Sequence, residues 1–286
     1  MWLALLLLFD LSPAHQAALA AYKEHKFSEA VAQFTAALKA EDPAGPEYAE
    51  SLQMLGQSLY LQSKYADAIP VLEKAVAGRN STPEVSFMLG NAYIFTQQGD
   101  KAVQAFAKLF QVLPNSASAH LTTARMMMHA DLPNDAVKQA RTALQIDPKM
   151  AGAHFLLGEV AIYQADIEAA ISELKKEIDV NPTNAMAHYR LGDAYMRQER
   201  WDEAQVPLER SVWLNPNYSG PFILLGKSYM KRKQFANAEG VLRHALRLDP
   251  QNANAHYILG QTLMQDGKTE EAQKEMARWQ ELKGND

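Results

Sequence analysis

Histidine is the residue type in this chain best suited to binding a metal, and four histidines share one spacing. His120, His154 and His188 lie 34 residues apart, and His256 lies twice that distance further on. Zinc needs nitrogen ligands about 2 Å from the ion, whereas equivalent residues of stacked helical units lie about 10 Å apart. We therefore predict that these histidines fill space between helices and hold no metal.

The other reactive residue types form no recognisable site. Glu159 and Asp193 lie 34 residues apart, at the same position of two adjacent repeats. This spacing alone does not establish a general acid–base pair. No glycine-rich phosphate loop, Gly-x-Ser-x-Gly or His-Glu-x-x-His motif occurs. The lack of cysteine excludes disulfides and thiolate metal sites. The sequence thus predicts no catalytic residue, no cofactor and no metal. The glycosylation sequons at Asn80 and Asn217 are tripeptides that are common by chance.

The histidine spacing belongs to a 34-residue period that runs through most of the chain. Such a period marks an array of stacked repeats, which usually offers a binding surface rather than chemistry. Two further positions with this period hold small residues and a third holds proline. They are Gly56, Gly90, Ala124, Gly158, Gly192, Gly226 and Gly260; Ala68, Ala102, Ala136, Ala170, Ala204, Ala238 and Ala272; and Pro114, Pro148, Pro182, Pro216 and Pro250.

Within each repeat the apolar residues follow helical spacing, as Leu191 and Tyr195 show. Each repeat therefore reads as two short helices joined by a tight turn. Proline disfavours helical backbone in the residue before it, so the proline column ends the second helix. Asn184 and Asn252 follow prolines and are predicted N-caps of the next helix. The small columns let the two helices approach closely.

These columns resemble the tetratricopeptide repeat (TPR), whose 34-residue motif has a large residue, Leu-Gly, Tyr, Ala, a large apolar residue, Ala and Pro. One repeat here reads His188, Leu191-Gly192, Tyr195, Ala204, Leu208, Ser211, Pro216. The next reads Phe222, Leu225-Gly226, Tyr229, Ala238, Leu242, Ala245, Pro250. The resemblance covers about residues 11–286 and implies an all-α fold, a right-handed superhelix (α-solenoid) of about eight helix-turn-helix repeats. The units span about 11–44, 49–82, 83–116, 117–150, 151–184, 185–218, 219–252 and 253–286.

Two repeats depart from this motif. The repeat at 117–150 has Ala124 in place of glycine and Ala140 in place of the large apolar residue. The repeat at 151–184 has Glu177 at a position that is normally small. We expect looser helix packing in both repeats.

The two ends of the sequence carry their own signals. The apolar run at 2–9 is too short to span a membrane. With the small residues up to Ala14, it predicts a signal peptide over residues 1–14, and hence a periplasmic or secreted protein of bacterial type. The alternative is a cytoplasmic protein in which Ser12 caps the first helix and Pro13 begins it. The charge-rich segment at 268–283, with Trp279 at a normally small position, is typical of a terminal repeat.

In TPR arrays the first helix of each repeat lines the concave face. The resemblance places ligand contacts at the second, fifth, ninth, twelfth and thirteenth positions. The fifth and twelfth are mostly apolar here and the ninth is polar. A groove of this kind binds an extended peptide or a helix. The alternative is that the fifth and twelfth positions are simply core. The candidate groove residues are Phe87, Asn91, Leu121, Arg125, Met128, Phe155, Glu159, Tyr189, Arg190, Asp193, Met196, Arg197, Lys227, Met230, Lys231, Tyr257, Gln261 and Met264.

Charge narrows the class of partner. The formal net charge of −5 and the 34-residue period argue against RNA-reading repeats, so no nucleic-acid partner is predicted. The basic turn at 231–233, with Arg243 and Arg247, is a candidate contact for an acidic partner or a membrane surface. The predicted function is a non-enzymatic protein–protein interaction scaffold that binds a peptide or helix of a partner in its concave groove. The alternative is an accessory or regulatory TPR subunit of an enzyme complex.

Overall fold

The computed structural model describes residues 12–78 and 81–284, which form sixteen α-helices and no strand. Residues 1–11, which carry most of the predicted signal peptide, and Asn80 of the first sequon lie outside the described residues. None of the described helices is both long and apolar enough to cross a bilayer. The helices are α1 (Pro13–Lys23), α2 (Phe27–Ala40), α3 (Pro46–Leu61), α4 (Tyr65–Ala77), α5 (Pro83–Phe95), α6 (Gly99–Leu109), α7 (Ala117–His129), α8 (Pro133–Ile146), α9 (Ala153–Tyr163), α10 (Ile167–Val180), α11 (Ala185–Arg197), α12 (Trp201–Leu214), α13 (Ser219–Lys231), α14 (Phe235–Leu248), α15 (Ala253–Gln265) and α16 (Thr269–Lys283).

Consecutive helices pair into eight helix-turn-helix hairpins, which confirms the predicted all-α repeat fold. The chain forms two compact units, one ending at Ile146 with α1–α8 and one beginning at Asp147 with α9–α16. Within each unit, every helix packs on its hairpin partner, and the second helix of one hairpin packs on the first helix of the next. In the second unit, the buried residues from Ile171 on α10 to Ala272 on α16 form one continuous core.

Close contact between the two helices of a hairpin explains the glycine column. A Cβ atom added at Gly192 would lie 2.5 Å from Cγ of Leu208, and one added at Gly226 would lie 2.5 Å from Cγ of Leu242. Both leucines are fully buried, so they have little room to move away. The small residue of the first helix and the large residue of the second helix thus form one packing pair.

The same pair takes a different form in the α7–α8 hairpin. Ala124 and Ala140 occupy the two positions, both are fully buried, and the helices remain in close contact. The expectation of looser packing is wrong here. The methyl group gained at Ala124 is matched by the side-chain volume lost at Ala140.

Looser packing was also expected around Glu177, and this expectation is wrong for a different reason. The Glu177 carboxylate is fully buried and accepts hydrogen bonds from the backbone N–H of Gly152 (2.9 and 3.0 Å) and of Phe155 (3.3 Å). The side-chain amide of Asn184 donates a further bond at 3.1 Å. Because the first N–H groups of a helix have no partner within it, this carboxylate caps α9 and replaces the small residue with a satisfied polar contact.

The turn between the helices of each hairpin contains one residue in the left-handed backbone conformation. Seven of these residues follow the 34-residue period, and the first hairpin adds His25. All eight are exposed, and only one is glycine, although L-residues with a side chain disfavour this region. The periodic residues are Ser63, Gln97, Asp131, Ala165, Glu199, Lys233 and Gly267.

The predicted helix ends are confirmed except at α6, which ends at Leu109, five residues before Pro114. Helices α10, α12 and α14 each end two residues before a proline of the proline column. Asn184 Oδ1 accepts from the backbone N–H of Ala187 at 3.1 Å, and Asn252 Oδ1 accepts from that of Ala255 at 3.0 Å. At the N-terminal end of the described residues, Ser12 caps α1, and its Oγ accepts from the backbone N–H of His15 at 3.3 Å.

Candidate functional site

The candidate site in the second unit is built on the four first helices α9, α11, α13 and α15. Each lies beside the next one in this order. The fifth, ninth and thirteenth positions of a repeat are four residues apart, so they share one side of a helix. We call the surface formed by these positions in the second unit the first-helix face.

Aromatic residues at the fifth position are half-buried on this face. Phe155, Tyr189 and Tyr257 pack against the core while part of each ring stays accessible. The Tyr189 ring meets the Tyr218 ring edge-on, with centroids 5.4 Å apart, and burial raises the pKa of the Tyr189 hydroxyl to about 12. The Tyr257 ring packs 4.8 Å from that of Trp279. These rings are held in place and still offer apolar surface.

The twelfth position behaves differently along the unit. Met196 and Met230 are only 5% and 4% exposed, which makes them core residues of the kind that the alternative interpretation described. Met264 is 49% exposed, because no later helix among the described residues covers it. The two buried methionines therefore pack neighbouring hairpins and offer no surface to a ligand.

Charged residues on the face pair with one another. Arg190 Nη2 lies 3.2 Å from Glu159 Oε1 and joins α11 to α9, while Arg197 Nε lies 3.1 Å from Asp193 Oδ2 on the same helix. At the ninth position of α15, Gln261 donates to the Tyr257 hydroxyl at 2.8 Å. The polar positions thus form a partly accessible strip in which most charges are already balanced.

Two lysines on α13 are the exception. Lys227 is half-buried and Lys231 is exposed. Neither has a carboxylate within ion-pair distance among residues 12–78 and 81–284. The Lys231 ammonium lies 6.0 Å from the Trp201 ring centroid. The α13 part of the face is therefore positive.

In the first unit, the predicted groove residues are spread over very different environments. Phe87 is 40% exposed on α5, whereas Asn91 and Leu121 are buried. Arg125 is exposed and Met128 is half-buried on α7. Asn91 forms a side-chain hydrogen bond with Tyr60, so it supports the packing of neighbouring first helices.

The histidine column fills space and makes polar contacts with neighbouring residues, as predicted. Nδ1 of His120 lies 2.7 Å from Gln139 Oε1, and Nδ1 of His154 and of His256 lies 2.6 Å from the carboxylates of Glu173 and Glu275 respectively. His188 is buried, with Nε2 3.1 Å from the carbonyl oxygen of Pro182, and burial lowers the pKa of its imidazole.

The basic turn is less available than the sequence suggested. Arg232 pairs with Asp202 at 2.5 Å, and Arg243 pairs with Glu239 at 2.8 Å and with Glu271 at 2.6 Å. The guanidinium of Arg247 lies 2.8 Å from His244 Nδ1. Among the five residues proposed as a docking patch, Lys231, Lys233 and Arg247 are exposed and have no carboxylate within ion-pair distance in the described part of the chain.

Tyr163 is a further surface residue of this face, and it was not among the predicted groove residues. It occupies the thirteenth position of α9, and its side chain is 63% exposed. Arg197, Lys231 and Gln265 hold the same position on the other three first helices, and all are exposed. Reading the thirteenth column in full, instead of only its charged members, would have found Tyr163.

Family comparison agrees with the geometry. Two models of the family described as tetratricopeptide repeat match the chain, one at residues 15–83 and 155–211 and the other at residues 59–126 and 229–286. No curated protein matches the sequence.

Several solved structures are similar in fold. YrrB, described as a TPR protein with an unusual peptide-binding site, is 22% identical, with 63% of this chain and 93% of that chain covered and a TM-score of 0.57. MamA from Desulfovibrio magneticus is 20% identical (59% and 96% covered, TM-score 0.55). The C-terminal part of a TPR protein from Cytophaga hutchinsonii is 15% identical (81% and 95% covered, TM-score 0.55). At such identities the likeness concerns the fold alone.

Proposed function

We propose that this chain, which belongs to the tetratricopeptide repeat family, is a non-enzymatic interaction scaffold that binds an extended peptide or a helix of a partner protein. The proposed site is the first-helix face of the second unit. The observation that carries the proposal is the set of fixed, half-buried aromatic rings at the fifth position, which border a polar strip. The similar fold of YrrB, with its described peptide-binding site, supports this class of ligand.

The chemistry of the face suggests what the ligand presents. Apolar side chains of the ligand contact the rings of Phe155, Tyr189 and Tyr257, since aromatic surface supplies most of the energy at such interfaces. An acidic ligand residue pairs with Lys227 or Lys231 on α13. The neutralised pairs on α9 and α11 favour polar or uncharged ligand residues there. We therefore expect a ligand with apolar side chains and an acidic residue that lies against α13.

Partner capture with the wild-type chain and with Tyr189→Ala, Lys227→Glu and Met196→Ala tests this proposal. The affinity of the purified partner should fall at least about tenfold for Tyr189→Ala, in the range of aromatic hot spots. Lys227→Glu should weaken binding without lowering the melting temperature, because the side chain contributes to the surface. Met196→Ala, a truncation in the core, is the matched control, and it should lower the melting temperature while leaving affinity nearly unchanged.

Two outcomes would contradict the proposal. If Met196→Ala weakens binding as much as Tyr189→Ala does, loss of folding explains both effects. If neither Tyr189→Ala nor Lys227→Glu changes the affinity, the partner binds elsewhere.

A further inference from the structure

A cluster of polar side chains lies in the first unit, away from the first-helix face. It forms where α1 meets the first turns of α3, beside Glu41, which directly follows α2. His15 and Ser51 are fully buried, and the Glu41 side chain is 3% exposed. Glu47 and Glu50 complete the cluster from α3. Burial of this many ionisable groups is costly unless each one is paired.

The hydrogen bonds of the cluster leave lone pairs facing each other. His15 Nε2 lies 3.1 Å from Glu50 Oε2. In a neutral ring that donates this bond from Nε2, Nδ1 is an acceptor. Nδ1 lies 3.1 Å from Glu41 Oε1. The Ser51 hydroxyl lies 2.9 Å from Nδ1 and 2.8 Å from Glu41 Oε1, and its single proton can serve only one of them.

The second oxygen of Glu41 is also unsatisfied. Oε2 is buried and has no hydrogen-bond partner among the described residues. A buried carboxylate oxygen without a partner is costly. A cavity of about 280 Å³ lies beside Glu41 and is lined also by Ser12, Gly45 and Glu47. Two of the cluster's glutamates, Glu41 and Glu47, therefore line a space large enough for a small cation.

The donor atoms suit a metal. One ligand atom from each of His15, Glu41 and Glu47 lies within 4.8 Å of the other two. Ligand atoms about 2 Å from one ion lie at most about 4 Å apart, so these side chains close in slightly when the ion binds. Imidazole and carboxylate ligands are those of zinc sites with three protein ligands. Glu50 on the other ring nitrogen supplies the carboxylate partner that metal-bound histidines usually have.

We propose that His15, Glu41 and Glu47 bind one Zn²⁺ ion. The ion replaces the missing proton between His15 Nδ1 and Glu41 and satisfies Glu41 Oε2. It ties the first hairpin to α3 at this end of the first unit. His15 and Glu41 occupy different positions of one repeat and Glu47 lies between two repeats, so periodic columns in the sequence could not reveal them.

Zinc titration of the full chain, after removal of metal with a chelator, tests the site. Calorimetry should show one zinc equivalent bound by the wild type, and zinc should raise the melting temperature, since an ion that binds only the folded state stabilises it. Glu41→Gln and Glu47→Gln should each weaken zinc binding at least about tenfold. Glu275→Gln, which removes the carboxylate beside His256, is the matched control and should bind zinc as the wild type does.

The proposal is overturned if the wild type binds no zinc, or if all three variants bind it equally. The first result would mean that His15 carries both ring protons and bridges Glu41 and Glu50 as a cation. The second would mean adventitious binding at other histidines. Glu47 is only partly buried, so Glu47→Gln decides the question if Glu41→Gln fails to fold.

Discussion

At the scale of single residues, the pairing of one small and one large side chain sets the distance between the helices of each hairpin. Gly192→Ala should cost about 1–3 kcal/mol of unfolding free energy, because the new methyl group meets buried Leu208. Leu208→Ala should cost about 2–5 kcal/mol. The double variant should lose less unfolding free energy than the sum of the two single losses. The reason is that Ala124 and Ala140 already form such an Ala–Ala pair in the α7–α8 hairpin.

Urea unfolding of the two single variants and the double variant measures this coupling. A coupling energy below about 0.5 kcal/mol, the range of independent sites, would show that the two positions do not form a pair.

Glu177 gives a second prediction at this scale. Glu177→Gln replaces one acceptor oxygen with a donor and leaves a backbone N–H at the start of α9 poorly satisfied. We expect a loss of about 1–3 kcal/mol in unfolding free energy. Glu168→Gln is the control, since Glu168 is exposed on the same helix and should change stability by less than about 0.5 kcal/mol. Equal effects of the two changes would rule out a capping role.

The buried imidazole of His188 predicts a dependence of stability on pH. Burial lowers its pKa in the folded chain below the ordinary value of 6.5. Its contribution to stability is therefore complete above pH 6.5 and is lost as the pH falls through the lower folded value. His188→Phe places here the residue found at Phe222, and it should flatten the decline in unfolding free energy below pH 6.5. Parallel pH profiles for variant and wild type would refute this.

At the scale of the element, the hairpin turns contain backbone strain, because residues with a side chain adopt a positive φ there. Ala165 adopts a φ of 61°, and Gly267 adopts a φ of 83° with open space where a Cβ would lie. Ala165→Gly should therefore stabilise the chain by about 0.5–1 kcal/mol, after the entropy that glycine adds to the unfolded state is subtracted.

The reverse change, Gly267→Ala, should destabilise the chain by a similar amount, since only the backbone is affected. Thermal melts of both variants test the pair. Melting temperatures that move in the same direction would exclude backbone strain as the cause.

At the scale of the whole molecule, each of the two compact units has a self-contained set of hairpins. The core of α10–α16 is continuous from Ile171 to Ala272, and the first-helix face lies wholly within residues 147–286. A fragment of residues 147–286 should unfold cooperatively and bind the captured partner within about threefold of the full-chain affinity. Binding that needs both units would contradict the proposed location of the site.

Much of this architecture could be predicted from the sequence. The 34-residue columns predicted the hairpins, the close helix contact and the caps at Asn184 and Asn252, because each depends on residue type at a fixed position. The cap at Glu177 was not predictable, since a long acidic side chain contradicts the motif and its hydrogen bonds connect distant residues.

Two other features were hidden from the sequence. The left-handed turn residues share a backbone geometry and no side-chain type, so their column carries no compositional signal. The burial of Met196 and the exposure of Met264 differ although both hold the same repeat position. Only neighbouring helices decide which of them faces solvent, and therefore which predicted groove residues a ligand could touch.

The left-handed turns have a practical consequence for heat tolerance. Seven of the eight turn residues carry a side chain on this backbone, and all seven are exposed. Replacing them one by one with glycine would yield small gains that accumulate, because separate hairpins contribute independently. Together these exposed substitutions would raise the unfolding free energy by a few kcal/mol without altering a buried residue.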